Sequence, residues 1–199
     1  EVGRFSPAQL ATGRGIVTEP SAVRAPRRPG TVAYAPLLPL EPGTLDAAQL
    51  AGLRAGALGT AFGAAFEGRT LCPSLRLPSG RMQLVDRILE LDPAGGRYGL
   101  GVVHGEADVA PDAWYLTSHF VDDPVMPGTL MYECCLHTLR VLLLRLGWIA
   151  EGEVEVRCEP IDGVTSQLRC RGQVTPDSRT VSYRVEIKEL GYDLEAEQA

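Results

Sequence analysis

The chain has 199 residues, of which 45% are hydrophobic and 22% charged, and carries a net charge of −6. That is the balance of a folded globular protein with one well-buried domain plus additional segments, or two small domains, and not of a disordered chain. The acidic excess speaks against a nucleic-acid binder, which usually presents a basic face. The longest apolar run, residues 136–148, includes His137, Arg140 and Arg145 and is too short and too polar to span a bilayer.

Residues 1–42 hold seven of the 15 prolines, with Arg24, Arg27 and Arg28 among them. This composition predicts an extended linker with little core of its own. The first residue is Glu1 and not Met, as expected for a piece of a longer polypeptide. Residues 43–75 change character. TLDAAQLAGLRAGALGTAFGAAF predicts one or two helices interrupted by glycines, with Thr44 as N-cap and Asp46 in the first turn. FEGRTLCPSLRLPSG then reads as loop.

Two strand-like runs follow, 81–91 and 97–107, flanking the turn DPAGG, which predicts an antiparallel hairpin. The glycines of YGLGVVHG lack dinucleotide-loop spacing and precede no helix, so they are read as strand bends, and His104 as structural. The segment PGTLMYECCLHTLRVLLLRLGW is apolar nearly all round and predicts an enclosed helix of about 20 residues, roughly 30 Å long. Pro127 suits its first position and Gly147 its stop, with Arg145 in the last turn. Further strands are expected at 153–159, 166–174 and 180–190, the last two joined by a turn at TPDSR. A hairpin, a buried central helix and more antiparallel strands make an α+β fold, a curved sheet wrapped around a helix.

Of the five cysteines, Cys134 and Cys135 sit in the apolar helix as small buried hydrophobes. The odd count, with no C-x-x-C pair and no signal peptide, points to a reducing cytoplasm. No metal-ligand spacing or cofactor motif is visible, and neither is expected to take part in the chemistry.

The chemistry concentrates in HFVDDPVMPGTLMYE, His119 to Glu133. The first N–H groups of a helix have no intrahelical partner and carry about half a positive charge. Gly128 lets a carbonyl oxygen approach that end, where an enolate-like oxyanion is stabilised, and Val125, Met126 and Leu130 make its surroundings apolar. Glu133, within two turns of the start among apolar neighbours, is expected to favour its protonated form and to act as an acid. His119 is the natural base. Base, acid and oxyanion donor are the equipment for removing water from a 3-hydroxyacyl thioester. The plainer reading is a structural His and a Glu satisfied on its own helix face by His137, four residues on.

The same run resembles the active-site segment of the β-hydroxyacyl-ACP dehydratases of the 3-hydroxydecanoyl-ACP dehydratase type, which have the hot-dog fold. LPSGRMQLVDRI, DVAPDAWYLTSHF and RGQVTPDSRTVSYRV resemble further blocks of that family, so that roughly residues 75–190 are covered. The chain looks still more like the dehydratase domains of bacterial polyunsaturated fatty acid synthases, in which a helical segment precedes the hot-dog. The resemblance implies residues 1–42 as interdomain linker, 43–75 as helical lead-in and 76–199 as hot-dog dehydratase domain. Family members continue with further strands beyond the equivalent of Ala199, so the C-terminal strands are expected to be missing here.

The resemblance also implies roles. His119 removes the C2 proton of a (3R)-3-hydroxyacyl group on acyl carrier protein, Glu133 takes the acid position, and the Gly128 amide that of the oxyanion donor. Pro127 and His137 support them, His137 standing where the stand-alone enzyme has Gln. The product is trans-2-enoyl-ACP. The implied partners are the phosphopantetheine-bearing carrier, a second hot-dog (in a homodimer or a tandem double hot-dog) and other synthase domains, and Arg76, Arg81 and Arg97 are candidates for carrier docking. Two other readings compete: a non-catalytic pseudo-dehydratase lobe that scaffolds a multienzyme, and a hot-dog thioesterase or hydratase. A hydratase of the MaoC type shows an Asp and, five residues later, a His at its helix start; MPGTLMYE has neither.

Overall fold

Alternating burial in Arg87–Asp92 and Val102–Asp108 sets up the central ladder of the computed structural model, which describes residues 40–119, 122–156, 168–169 and 172–190. These are strands β2 and β3. With β1 (Gly43–Leu45) and β4 (Thr180–Glu186) they form a four-stranded antiparallel sheet in the order β1-β2-β3-β4. Leu91 lies opposite Val103, and Gly105 opposite Tyr183. The register slips between Ile88 and Glu90, the mark of a bulge. The predicted hairpin is therefore present, but each strand starts about five residues later than its apolar run. Gly80–Met82 forms a 3₁₀ turn, and Leu84 and Val85 are buried ahead of the ladder. Gly101, at φ 123°, makes the predicted bend just before β3.

The lead-in forms two helices, α1 (Ala47–Ala55) and α2 (Leu58–Phe62). Thr44 is not the N-cap. It is taken up by β1, and Asp46 caps instead: its side chain accepts from Gln49 N at 2.8 Å while the Gln49 side chain accepts from Asp46 N. This reciprocal pair satisfies two otherwise orphaned donors. Gly56, at φ 86°, closes α1 with its N–H on the carbonyls of the last turn.

The short helix α3 (Trp114–Ser118) leads to the long helix α4 (Gly128–Arg145), with Pro127 as N-cap and Gly147 just beyond the end. Helix α4 lies across the sheet. It passes closest where Gly105 of β3 offers no side chain against Thr138. Two apolar clusters hold it. Leu50, Leu53, Leu58 and Phe66 of the lead-in meet Val141, Leu142 and Leu144 of α4 and Ile88, Leu91 and Val103 of the sheet. Each fully buried leucine there contributes roughly 1.5–3 kcal/mol. The second cluster surrounds the start of α4: Tyr115, Leu116, Met126, Leu130, Cys134, Val174 and Tyr183. The lead-in thus shares one core with the sheet. The described residues do not cover the helix all round: Tyr132 is 39% exposed.

The strands expected at 153–159 and 166–174 are not formed over their described parts, 153–156, 168–169 and 172–174; the rest lies outside the described residues. Backbone groups there are engaged elsewhere. Val156 N donates to Ser74 Oγ at 2.9 Å, and Val174 O accepts from Met126 N at 2.9 Å. The turn at TPDSR is present, with Ser178 N on Thr175 O and Thr175 N on Ser178 Oγ. No helix of the described residues is long and apolar enough to cross a membrane. The 1–42 linker, apart from residues 40–42, and the chain end after Leu190 lie outside the described residues.

Candidate active site

His119 sits at the end of α3, and the sequence between it and α4 is short enough to bring the ring back over the helix start. Its Nδ1 lies 3.1 Å from the carbonyl oxygen of Val125. A carbonyl only accepts, so Nδ1 carries the hydrogen. The half-buried imidazole is thereby held in one orientation.

His119 and Gly128, the first residue of α4, line one cleft of about 510 Å³, together with Val125, Met126, Met131, Gly172 and Gln173. Helix α4 is 18 residues long, and its positive end faces this space. The structure thus brings together the predicted base and the predicted oxyanion donor. Val125 and Met126 contribute apolar wall as expected, whereas Leu130 turns into the core and Met131 takes its place at the surface of the cleft. Pro127 is the N-cap, one residue before its predicted position.

Glu133 is placed differently from expectation. It is not among the residues lining this cleft, and its side chain is 39% exposed instead of enclosed. Its Oε1 accepts from His137 Nε2 at 3.1 Å, the predicted i,i+4 pairing. His137 is the deeply buried member, 3% exposed. Burial holds its imidazole below the ordinary range, with Glu133 pulling the other way and Arg140 and Arg54 reinforcing the depression.

Beneath the cleft, the Tyr183 hydroxyl reaches Met126 Sδ at 3.8 Å. Burial raises Tyr183 and pushes the Cys134 thiol up to about 11. Both are neutral near pH 7 and pack with Met126 in the buried cluster at the start of α4. A smaller cavity of about 180 Å³ shares Met126 and is bounded by Leu84, Tyr115, Trp114 and Val181. Of the three docking candidates, Arg97 is paired with Glu186 at 2.8 Å, Arg76 is half-buried, and Arg81 is exposed. His104 stands in β3 between Glu90 and Arg184 of its neighbours, in keeping with a structural reading.

Sequence reasoning did not find Gly172, Gln173 and Met131 as cleft residues. The first two arrive from a distant segment, held here by the Met126–Val174 hydrogen bond and by Val174 in the apolar cluster at the start of α4, and no spacing in the chain announces that contact.

Residues 77–197, more than half of the chain, match the FabA-like domain. A polyunsaturated fatty acid synthase polypeptide of Thraustochytrium sp. is 38% identical over 119 residues, 59% of this chain. The chain spans only 8% of that relative's length.

Proposed function

We propose that this chain, which belongs to the FabA-like domain family and has its hot-dog fold, dehydrates (3R)-3-hydroxyacyl-ACP to trans-2-enoyl-ACP. At the coarser level the family and the relative make it a dehydratase-type or isomerase-type domain. The observation that carries the finer reading is the shared cleft of His119 and Gly128, with the His119 tautomer fixed by Val125 O.

On this reading the substrate thioester lies with its carbonyl oxygen at the Gly128 amide. His119 Nε2 takes the C2 proton, and the charge that develops on the carbonyl oxygen is stabilised by the helix end. The electron pair then forms the C2–C3 double bond, the C3–O bond breaks, and a carboxylic acid delivers a proton so that water leaves. Glu133 supplies that proton to the site of a facing hot-dog. Its half-exposed position, away from the cleft of its own chain, supports an acid given in trans. A second hot-dog, as a homodimer or tandem lobe, is therefore part of the proposal.

The name of the relative supports a place in a multidomain synthase, with residues 1–42 as linker, 43–75 as lead-in and 76–199 as catalytic domain. Substrate then arrives on the phosphopantetheine of an acyl carrier protein, and the reaction runs in the cytoplasm. The test is dehydration by His119→Ala and Glu133→Gln, each expected to lose on the order of 10²-fold or more. Unchanged rates in both would identify a scaffolding lobe, and release of free acid a thioesterase.

A further inference from the structure

The cleft of His119 and Gly128 gives a thioester polar partners but little apolar wall. His119, Gly128, Gly172 and Gln173 bring polar or backbone groups, and Val125, Met126 and Met131 are its apolar side chains. An acyl tail gains only where its methylenes leave water. Apolar surface continues past Met126, which lines both this cleft and the smaller cavity of about 180 Å³. In that cavity Leu84, Ala107 and Tyr115 are buried and Val181 is half-buried. We propose that the acyl tail of the substrate passes the Met126 side chain into the smaller cavity, and that Met126 is a specificity-determining residue. This rests on the reading of the cleft as the thioester site and adds where the tail goes.

Met126 has a fixed backbone and an adaptable side chain. Its N–H donates to Val174 O at 2.9 Å, and Pro127 follows it as the N-cap of α4. The side chain is held by a weak contact, the Tyr183 hydroxyl donating to Sδ at 3.8 Å. An unbranched thioether with three rotatable bonds swings aside at small cost, whereas a β-branched residue in its place would be stiff. The cavity behind it is therefore open to a tail without movement of the helix.

The cavity also sets a limit. Trp114 forms part of its wall, the indole N–H donating to Arg81 O at 3.0 Å and tying α3 to the turn ahead of β2. The exposed side chains of Arg81, Gln83 and Asp108 mark where it meets solvent, and Asp108 is paired there with Arg87. Its volume holds about six water-sized groups at roughly 30 Å³ each, and a methylene is of similar size. A tail of up to about six carbons beyond Met126 is thus covered. A longer one emerges among polar side chains and gains nothing more.

The experiment measures kcat/KM for 3-hydroxybutyryl, 3-hydroxyoctanoyl and 3-hydroxytetradecanoyl pantetheine thioesters in the unmodified protein, Ala113→Leu and Met126→Ala, with a thermal melt for each. Each covered methylene is worth roughly 4-fold, so octanoyl should exceed butyryl on the order of 10²-fold, with little further gain for tetradecanoyl. Ala113 lines the cavity and makes no side-chain cap bond, so Leu there fills space from the start of α3. It is expected to lower the octanoyl-to-butyryl ratio on the order of 10-fold. Met126→Ala widens the passage and is expected to raise the tetradecanoyl-to-octanoyl ratio several-fold. Wild-type ratios in the folded variants would overturn the path of the tail and leave the dehydration reading standing. A crystal of the unmodified protein with the amide analogue of 3-hydroxyoctanoyl pantetheine gives a readout independent of turnover and of variant folding. The tail is expected between Leu84, Tyr115 and Val181, with Met126 turned aside, and this result would stand even if no thioester were dehydrated. A tail lying elsewhere, or no tail in the cavity, would overturn the proposal.

Discussion

Replacing Gly105 by Ala tests how tightly α4 is seated on the sheet. A Cβ at this position would lie 2.7 Å from Thr138 Oγ1, 3.0 Å from Thr138 Cγ2 and 3.3 Å from Val85 Cγ1. Thr138 is fully buried, its hydroxyl donates to Cys134 O at 2.8 Å, and a β-branched side chain has few rotamers to retreat into. The helix must lift or the strand must bow. Overpacking of this kind costs about 1–3 kcal/mol. At roughly 2–4 °C per kcal/mol for a chain of this size, the melting temperature should fall by about 2–12 °C. Activity should fall with it, since the same helix sets the height of Gly128 in the cleft. The double variant Gly105→Ala/Thr138→Ala removes the obstructing atoms and should recover a coupling energy of about 0.5–3 kcal/mol, read from circular-dichroism melts of the four proteins. A Gly105→Ala protein that melts with the wild type, or a double variant no better than Gly105→Ala alone, would refute the close seating.

Asp46→Ala removes the reciprocal cap of α1 and should cost about 1 kcal/mol in a denaturant titration, with Asp46→Asn largely neutral. Arg87 bonds Glu106 and Asp108, and its hydrogen bond holds the Asp108 carboxyl below the usual carboxylate range. A depressed folded-state value means stability that is present above the unfolded value, about 3.9, and is lost as pH falls through the folded value. Arg87→Met should therefore narrow the gap between melting temperatures at neutral pH and near pH 3; an unchanged gap would deny the pairing. Met126→Ala should destabilise by about 2–5 kcal/mol, because it opens a cavity over the Tyr183 hydroxyl and joins the two neighbouring clefts. A loss below about 1 kcal/mol in equilibrium unfolding would argue against a filled floor.

Local chemistry made parts of this protein readable. Helix α4 was legible because a proline and a glycine bracket a largely apolar run, and the motif that starts it also carries His119 and Gly128. The pairing of Glu133 with His137 followed from helical spacing alone. Other features depend on contacts that spacing does not encode. Thr44 and Asp46 are both good caps, and the choice between them was made when β1 joined the sheet and claimed Thr44. The D-x-x-Q spacing of Asp46 and Gln49 was the available signal. The apolar run at 81–91 overstated its strand because Gly80–Met82 turns as a 3₁₀ helix and Leu84 and Val85 are buried ahead of the ladder. The segments near 153 and 172 have strand-like alternation, yet Ser74 and Met126 take up their backbone groups. Likewise, the expectation of an enclosed Glu133 treated the helix as covered on every side, and its flank at Tyr132 and Glu133 is open among the described residues.

The central claim is that the amino end of α4 and His119 receive one thioester between them. A crystal structure with a non-hydrolysable 3-hydroxyacyl pantetheine mimic tests it most directly. The carbonyl oxygen should lie about 2.7–3.1 Å from the Gly128 amide, with C2 against His119 Nε2. A mimic bound elsewhere, with His119 and Gly128 untouched, would contradict the account.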